Sequence, residues 1–323
     1  MDFTSLGLSI GRLYLLVVFG FFLFRLKFLQ DQVLPRLLSL LLWVGFPIYS
    51  IDRINAGWDE ALNMGWQGMF GFFLLGAGMI GFQFFLGRFF IRRFPGLKTE
   101  HPRELLVLFA LHNAGYIPFA FLGVLVSDGI MVYLFYYVMA FNLLFWTFSI
   151  PLLEKGNPRF TIRITPPLAG IIGGIILAAT GWYRYVPQGL QEIFSQLGGI
   201  SLDLILVVLG GTLAPLNLGS WKGFPELPWL VGIKLVAYPL FMTLVAVLAR
   251  YVSGLVVSDE FAWGLGMVII VEAAVPPGTN IMVVARAWAS KEQIEFLGGG
   301  MLLTYTASLV TLPLFVGLGI LLL

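Results

Sequence analysis

Val271-Glu272-Ala273-Ala274-Val275-Pro276-Pro277-Gly278-Thr279-Asn280 lies inside an apolar run long enough to cross a bilayer. Two prolines and a glycine break a helix there, because proline has no amide hydrogen and its ring crowds the preceding turn. In hydrocarbon no water replaces the lost hydrogen bonds. The carboxylate of Glu272 comes one turn before the break, and the hydroxyl of Thr279 and the amide of Asn280 come just after it. Polar and ionisable groups at such depth are costly and mark binding or relay sites.

The rest of the chain fits a membrane setting. Of its 323 residues, 59% are hydrophobic and 11% charged, with a mean hydropathy of +0.92; a soluble domain carries about a quarter charged residues. The chain has no cysteine, which excludes disulfides, thiolate metal sites and thiol nucleophiles. His101 and His112 form no credible catalytic triad and no paired-carboxylate metal motif is present, so no enzyme, metal or cofactor is expected. The partner implied is the lipid bilayer, and no nucleic acid is expected. Met1-Asp2-Phe3-Thr4-Ser5 has neither a basic region nor a cleavage pattern after it, so the first apolar run is expected to be a retained helix.

Apolar runs predict helices at 5–24, 33–50, 65–90, 103–126, 129–152, 165–183, 198–216, 228–252, 260–287 and 293–322. Turns are expected at Asn55-Ala56-Gly57, Asp128-Gly129 and Lys155-Gly156-Asn157-Pro158, and 184–197 reads as an interfacial piece. Lys and Arg favour the cytoplasmic side, so the loops test this count. One side collects Arg25, Lys27, Arg36, Arg88, Arg92, Arg93, Lys98, Arg103, Lys155, Arg159, Arg163, Lys222, Arg286 and Lys291, fourteen of the nineteen basic residues. The other side has Arg53, Arg184 and Arg250, while Arg12 and Lys234 fall within helices. The expected topology is therefore ten helices in a cell membrane, with both termini outside.

The halves correspond. The first and sixth helices start near 5 and 165, a difference of 160, and the interruptions centred on Tyr116 and Pro277 differ by 161. Five helices is an odd number, so two such repeats, 1–160 and 161–323, have opposite orientations in the membrane. The fold expected is an all-α polytopic protein of two inverted five-helix repeats whose broken fourth and ninth helices cross.

The fourth helix is interrupted at His112-Asn113-Ala114-Gly115-Tyr116-Ile117-Pro118, where Pro118 is placed as the first residue of a new half-helix. The N-terminal ends of half-helices suit an anion and their C-terminal ends suit a cation. Asn113, Thr279 and Asn280 add side-chain donors and acceptors. Arg12, Arg36 and Lys234 lie within two turns of a predicted helix end and are assigned to snorkelling, and Asp203 to hydration. Glu272 is about twelve residues from either side, at roughly 1.5 Å per residue, and is read as taking up a proton or binding a cation. His112 is a second mid-membrane candidate. Gly45-Phe46-Pro47 and Gly210-Gly211 with Pro215 are weaker breakers in the second and seventh helices.

Asn113-Ala114-Gly115-Tyr116-Ile117-Pro118 and the stretch from Glu272 to Asn280, continued by Ile281-Met282-Val283-Val284-Ala285-Arg286, resemble the auxin efflux carrier family in its bacterial branch. Thr311-Leu312-Pro313-Leu314 also fits. The resemblance implies two inverted repeats with a crossover, a fold similar to bile acid sodium symporters and sodium/proton antiporters, and a homodimer. It implies that prolines and asparagines at the crossover hold an anionic substrate. The substrate-binding set is then Asn113, Gly115, Tyr116, Pro118, Pro276, Pro277, Gly278, Thr279 and Asn280, with Glu272 and His112 as ion-coupling residues. The long cytoplasmic loop of plant carriers is replaced by 153–164, which points to a small carboxylate such as malate or malonate rather than auxin. The function expected is an efflux-type secondary transporter for small organic anions with H+ or Na+ as coupling ion. The alternative is a sodium-coupled uptake symporter of the bile acid type.

Overall fold

Backbone groups that must be satisfied without water close their bonds inside helices. The computed structural model describes residues 3–29, 32–153, 163–216, 219–255 and 257–323, and its ordered elements are helices. In chain order they are α1 (Phe3–Arg25), α2 (Val33–Met64), α3 (Trp66–Arg93), α4 (Pro102–Ala110), α5 (Tyr116–Leu122) and α6 (Asp128–Leu153). The second half adds α7 (Pro166–Thr180), α8 (Gln188–Leu213), α9 (Glu226–Ser253), α10 (Asp259–Ala274), α11 (Asn280–Trp288) and α12 (Lys291–Leu322). Among the described residues, six of these (α2, α3, α6, α8, α9 and α12) are long and apolar enough to cross a bilayer.

Several local expectations need correction. No turn forms at Asn55-Ala56-Gly57; α2 runs on to Met64. Asn55 donates its side-chain amide to Ile51 O at 2.7 Å, and a Cβ on Gly57 would stand 2.2 Å from Asp128 O. That glycine serves a close approach rather than a turn. The chain turns at 123–127, so Asp128 opens α6 instead of lying in the turn. The segment 184–197 is mostly the first part of α8, preceded by a short 3-10 turn at Trp182–Tyr185. Asp203 is therefore mid-helix, where it pairs with Arg12 of α1, both side chains remaining partly exposed. The turn expected at Lys155-Gly156-Asn157-Pro158, and the boundary between repeats near 160, lie outside the described residues.

The breaker Gly45-Phe46-Pro47 widens its helix rather than ending it. A π turn at Leu41–Gly45 passes the Phe46 amide to Leu41 O, and a second at Ile233–Ala237 passes the Tyr238 amide to Ile233 O. A proline follows each at once, Pro47 and Pro239. Proline cannot donate to the carbonyl four residues back, and the wider turn absorbs that loss.

The chain divides into two compact units, one of Met1–Leu74, Phe119–Asn142 and Ile164–Pro215, the other of Leu75–Pro118, Leu143–Arg163 and Leu216–Leu323. In the first, α1 packs on α8 with glycines at the contact. A Cβ on Gly20 would stand 1.9 Å from Val207 O, and one on Gly210 1.9 Å from Val17 O. Small residues permit such approach between membrane helices. Arg25 Nη1 caps the end of α8 by donating to Ala214 O at 2.8 Å. Tyr133 of α6 donates to Ala61 O at 2.7 Å, and the Phe119 and Phe135 rings stack 4.5 Å apart.

In the second unit, the start of α4 and the loop before it are tied to the starts of α12 and α9 by buried carboxylates that have partners. Thr99 donates to Glu226, and the Gln293 amide donates to Glu104. Ser290 and Gln293 form a capping box on α12. The His101 ring lies 4.7 Å from Phe296 and 5.7 Å from Phe224. These contacts fix the ends of the helices that carry the site described next.

Candidate functional site

All the residues singled out in 112–118 and 272–280 fall in the second unit. Helix α4 ends at Ala110 and the chain resumes helix at Tyr116; α10 ends at Ala274 and α11 begins at Asn280. Each break frees backbone groups that a membrane helix must satisfy elsewhere. They satisfy one another. Asn113 N donates to Pro276 O at 2.8 Å, and Gly278 N donates to Leu111 O at 2.9 Å. His112 and Pro277 thus form an isolated antiparallel bridge. A Cβ on Gly278 would stand 3.1 Å from His112 O, so glycine there keeps the two segments close.

Pro118 is the third residue of α5, not the first. The first four amides of a helix have no intrahelical acceptor, so a proline at the third position still costs no bond. Asn113 is buried and donates its side-chain amide to Tyr305 Oη at 3.1 Å. Tyr116, Pro118, Pro276, Pro277 and Gly278 are buried, whereas Gly115, Thr279 and Asn280 are partly exposed. The structure therefore brings both breaks together and leaves three of the nine substrate-binding candidates at an accessible edge.

Beside the paired breaks runs a buried polar chain. Lys234 Nζ donates to Gln83 Oε1 at 2.7 Å. Lysine can only donate, so the oxygen of Gln83 faces it and the amide nitrogen faces the other way. That nitrogen donates to Tyr238 Oη at 3.1 Å and lies 3.2 Å from His112 Nδ1. The His112 ring thus faces Gln83 through Nδ1. Nε2 lies 3.2 Å from Glu272 Oε2. The approach is close but out of line, and neither oxygen of Glu272 accepts a hydrogen bond among the described residues. Lys234, His112 and Glu272 are each 0% exposed.

Lys234 is the main correction to the sequence reading. It does not snorkel; it points into the cluster, with its Nζ 5.8 Å from the Phe109 ring centre and 5.5 Å from that of Tyr238. Helix α9 starts at Glu226, which puts Lys234 eight residues in, about 12 Å at 1.5 Å per residue. The π turn around it is the signal that Tyr238-Pro239 carries in the sequence. Gln83 and Tyr305 carry no signal in the sequence, since a single amide or phenol in an apolar helix has no periodic signature.

Residues 159–316 match the sequence pattern of a family described as membrane transport protein. A protein of Saccharomyces cerevisiae described as an uncharacterized transporter is 23% identical over a stretch covering 40% of this chain and 32% of that protein. The match thus spans about a third of the relative's length.

Proposed function

We propose, starting from a chain that belongs over residues 159–316 to the membrane transport family of the auxin efflux carrier type, that this multi-pass protein is a secondary active transporter for small organic anions. The observation that supports this most is the mutual pairing of two helix breaks beside a buried carboxylate. The six long helices, α1, α7 and the two broken pairs α4/α5 and α10/α11 make the ten spans. They form two inverted five-helix repeats, 1–160 and 161–323, and the breaks are the crossover at the midplane. Both termini face outward from the cell membrane, and the carrier works as a homodimer.

The anion sits at the accessible edge of the crossover, where Gly115, Thr279 and Asn280 meet it and the start of α11 supplies partial positive charge. Asn113 and the buried Tyr116, Pro118, Pro276, Pro277 and Gly278 shape that edge. Glu272 and His112 handle the coupling ion, H+ or Na+, as the site alternates between the two sides.

Purified protein in proteoliposomes is expected to move labelled small carboxylates, malate and malonate among them, with accumulation that follows an imposed proton or sodium gradient. Absence of flux for the whole panel under both gradients would remove the reading. Asn280→Ala is expected to weaken half-saturation by about tenfold, the equivalent of about 1.4 kcal/mol for a lost hydrogen bond to a charged group. An unaltered half-saturation constant would take Asn280 out of the site.

A further inference from the structure

We propose that Lys234 is the built-in counter-cation of Glu272, so that the chain itself supplies the positive charge this site needs and no soluble sodium ion binds there. The inference rests on the transporter reading only for its consequence, which is that the coupling ion at Glu272 is a proton.

Four observations carry it. Glu272 is fully buried and its carboxylate accepts no hydrogen bond among the described residues; His112 Nε2 stands 3.2 Å from Oε2 but out of line, so the carboxylate calls for a further positive charge. Lys234 is fully buried in the same compact unit, and its surroundings suit a cation: a carbonyl oxygen at 2.7 Å and two aromatic faces. The two are joined in sequence by Gln83 and His112 and form no direct ion pair, so they are spaced rather than fused. The carboxylates of Glu104 and Glu226 already have partners in Gln293 and Thr99.

Charge counting decides the rest. An isolated ion in a medium of low dielectric is expensive, and a buried pair removes most of that expense. One ammonium and one carboxylate sum to zero, as do one amine and one carboxylic acid. A sodium ion added beside the charged pair would leave one uncompensated positive charge in the interior, whereas a proton taken up by Glu272 from one side keeps the sum at zero when Lys234 releases its own proton to the other, a relay that needs no metal ligands. The π turn at Ile233–Ala237 is what aims the lysine inward, in keeping with the frequent placement of such turns at functional sites.

The test is a double-mutant cycle read by thermal unfolding of the purified full chain in detergent, with no substrate needed. Lys234→Met and Glu272→Gln are each expected to lower the melting temperature by several degrees, because each leaves the other charge buried and alone. The double variant is expected to melt within about 2 °C of the unmodified protein. If Lys234→Met fails to yield folded protein, recovery of a monodisperse peak in the double variant supports the pairing, and failure of the double while Glu272→Gln folds overturns it. A double variant that loses the sum of both single effects also overturns it. Replacing potassium by sodium at equal ionic strength is expected to leave the unmodified protein's melting temperature unchanged. Saturable, sodium-specific stabilisation would overturn the proposal. Organic-acid flux is scored separately, so a failed transporter reading and a failed pairing give different results.

Discussion

Glu272→Gln is expected to cut gradient-driven uptake of organic acid in proteoliposomes by at least about tenfold, a change of about 1.4 kcal/mol or more in barrier. The amide keeps the size and planar shape of the carboxyl group, so the fully buried pocket is filled as before. It cannot exchange a proton, and it cannot balance Lys234. Gradient coupling is therefore lost while the protein still elutes as a folded species. Exchange of unlabelled for labelled substrate, which needs no net ion movement, separates loss of coupling from loss of binding. Retained gradient dependence in the variant would refute the assignment of Glu272 to coupling.

Gly210→Val is expected to have the largest effect on stability. A Cβ there would stand 1.9 Å from Val17 O and 2.7 Å from Phe21 N, both backbone atoms that no rotamer change can move. Helices α1 and α8 would have to separate, disturbing the Arg12–Asp203 pair and the Arg25 cap on Ala214. Overpacking of this kind costs about 1–3 kcal/mol, and more where backbone must shift. We expect a strong loss of folded yield and a lower melting temperature. Gly71→Ala is the control, since a Cβ at Gly71 meets nothing within 4 Å and alanine favours the helix. Equal stability of both variants would show that α1 and α8 are not in such contact.

The helical regions were legible because hydrocarbon permits so few backbone solutions. The runs at 5–24, 65–90, 129–152 and 293–322 each lie within a helix to a residue or so at their ends. The breaks at 112–118 and 272–280 were legible for the same reason, since Pro276, Pro277 and Pro118 remove donors wherever they stand. Errors came where one residue type serves two ends. Gly57 and Asn55 read as a turn, yet the glycine makes room for Asp128 and the asparagine bonds back to its own helix. Arg12 and Asp203 read as separate charges near water, and a pairing 191 positions apart in sequence cannot be seen from either alone.

From the sequence alone came an apolar helical chain, two interruptions about 160 residues apart, and the candidate ionisable groups His112 and Glu272. Those follow from backbone chemistry and hydropathy, which act locally and leave a periodic trace. Tertiary structure alone decided that the two breaks satisfy each other's backbone, and that Gln83 and Lys234 complete the chain leading to Glu272 through His112. A lysine near a helix end reads the same whether it reaches for headgroups or turns inward. Only the packing of α3, α9 and α10, with a π turn to set the direction, selects between those outcomes.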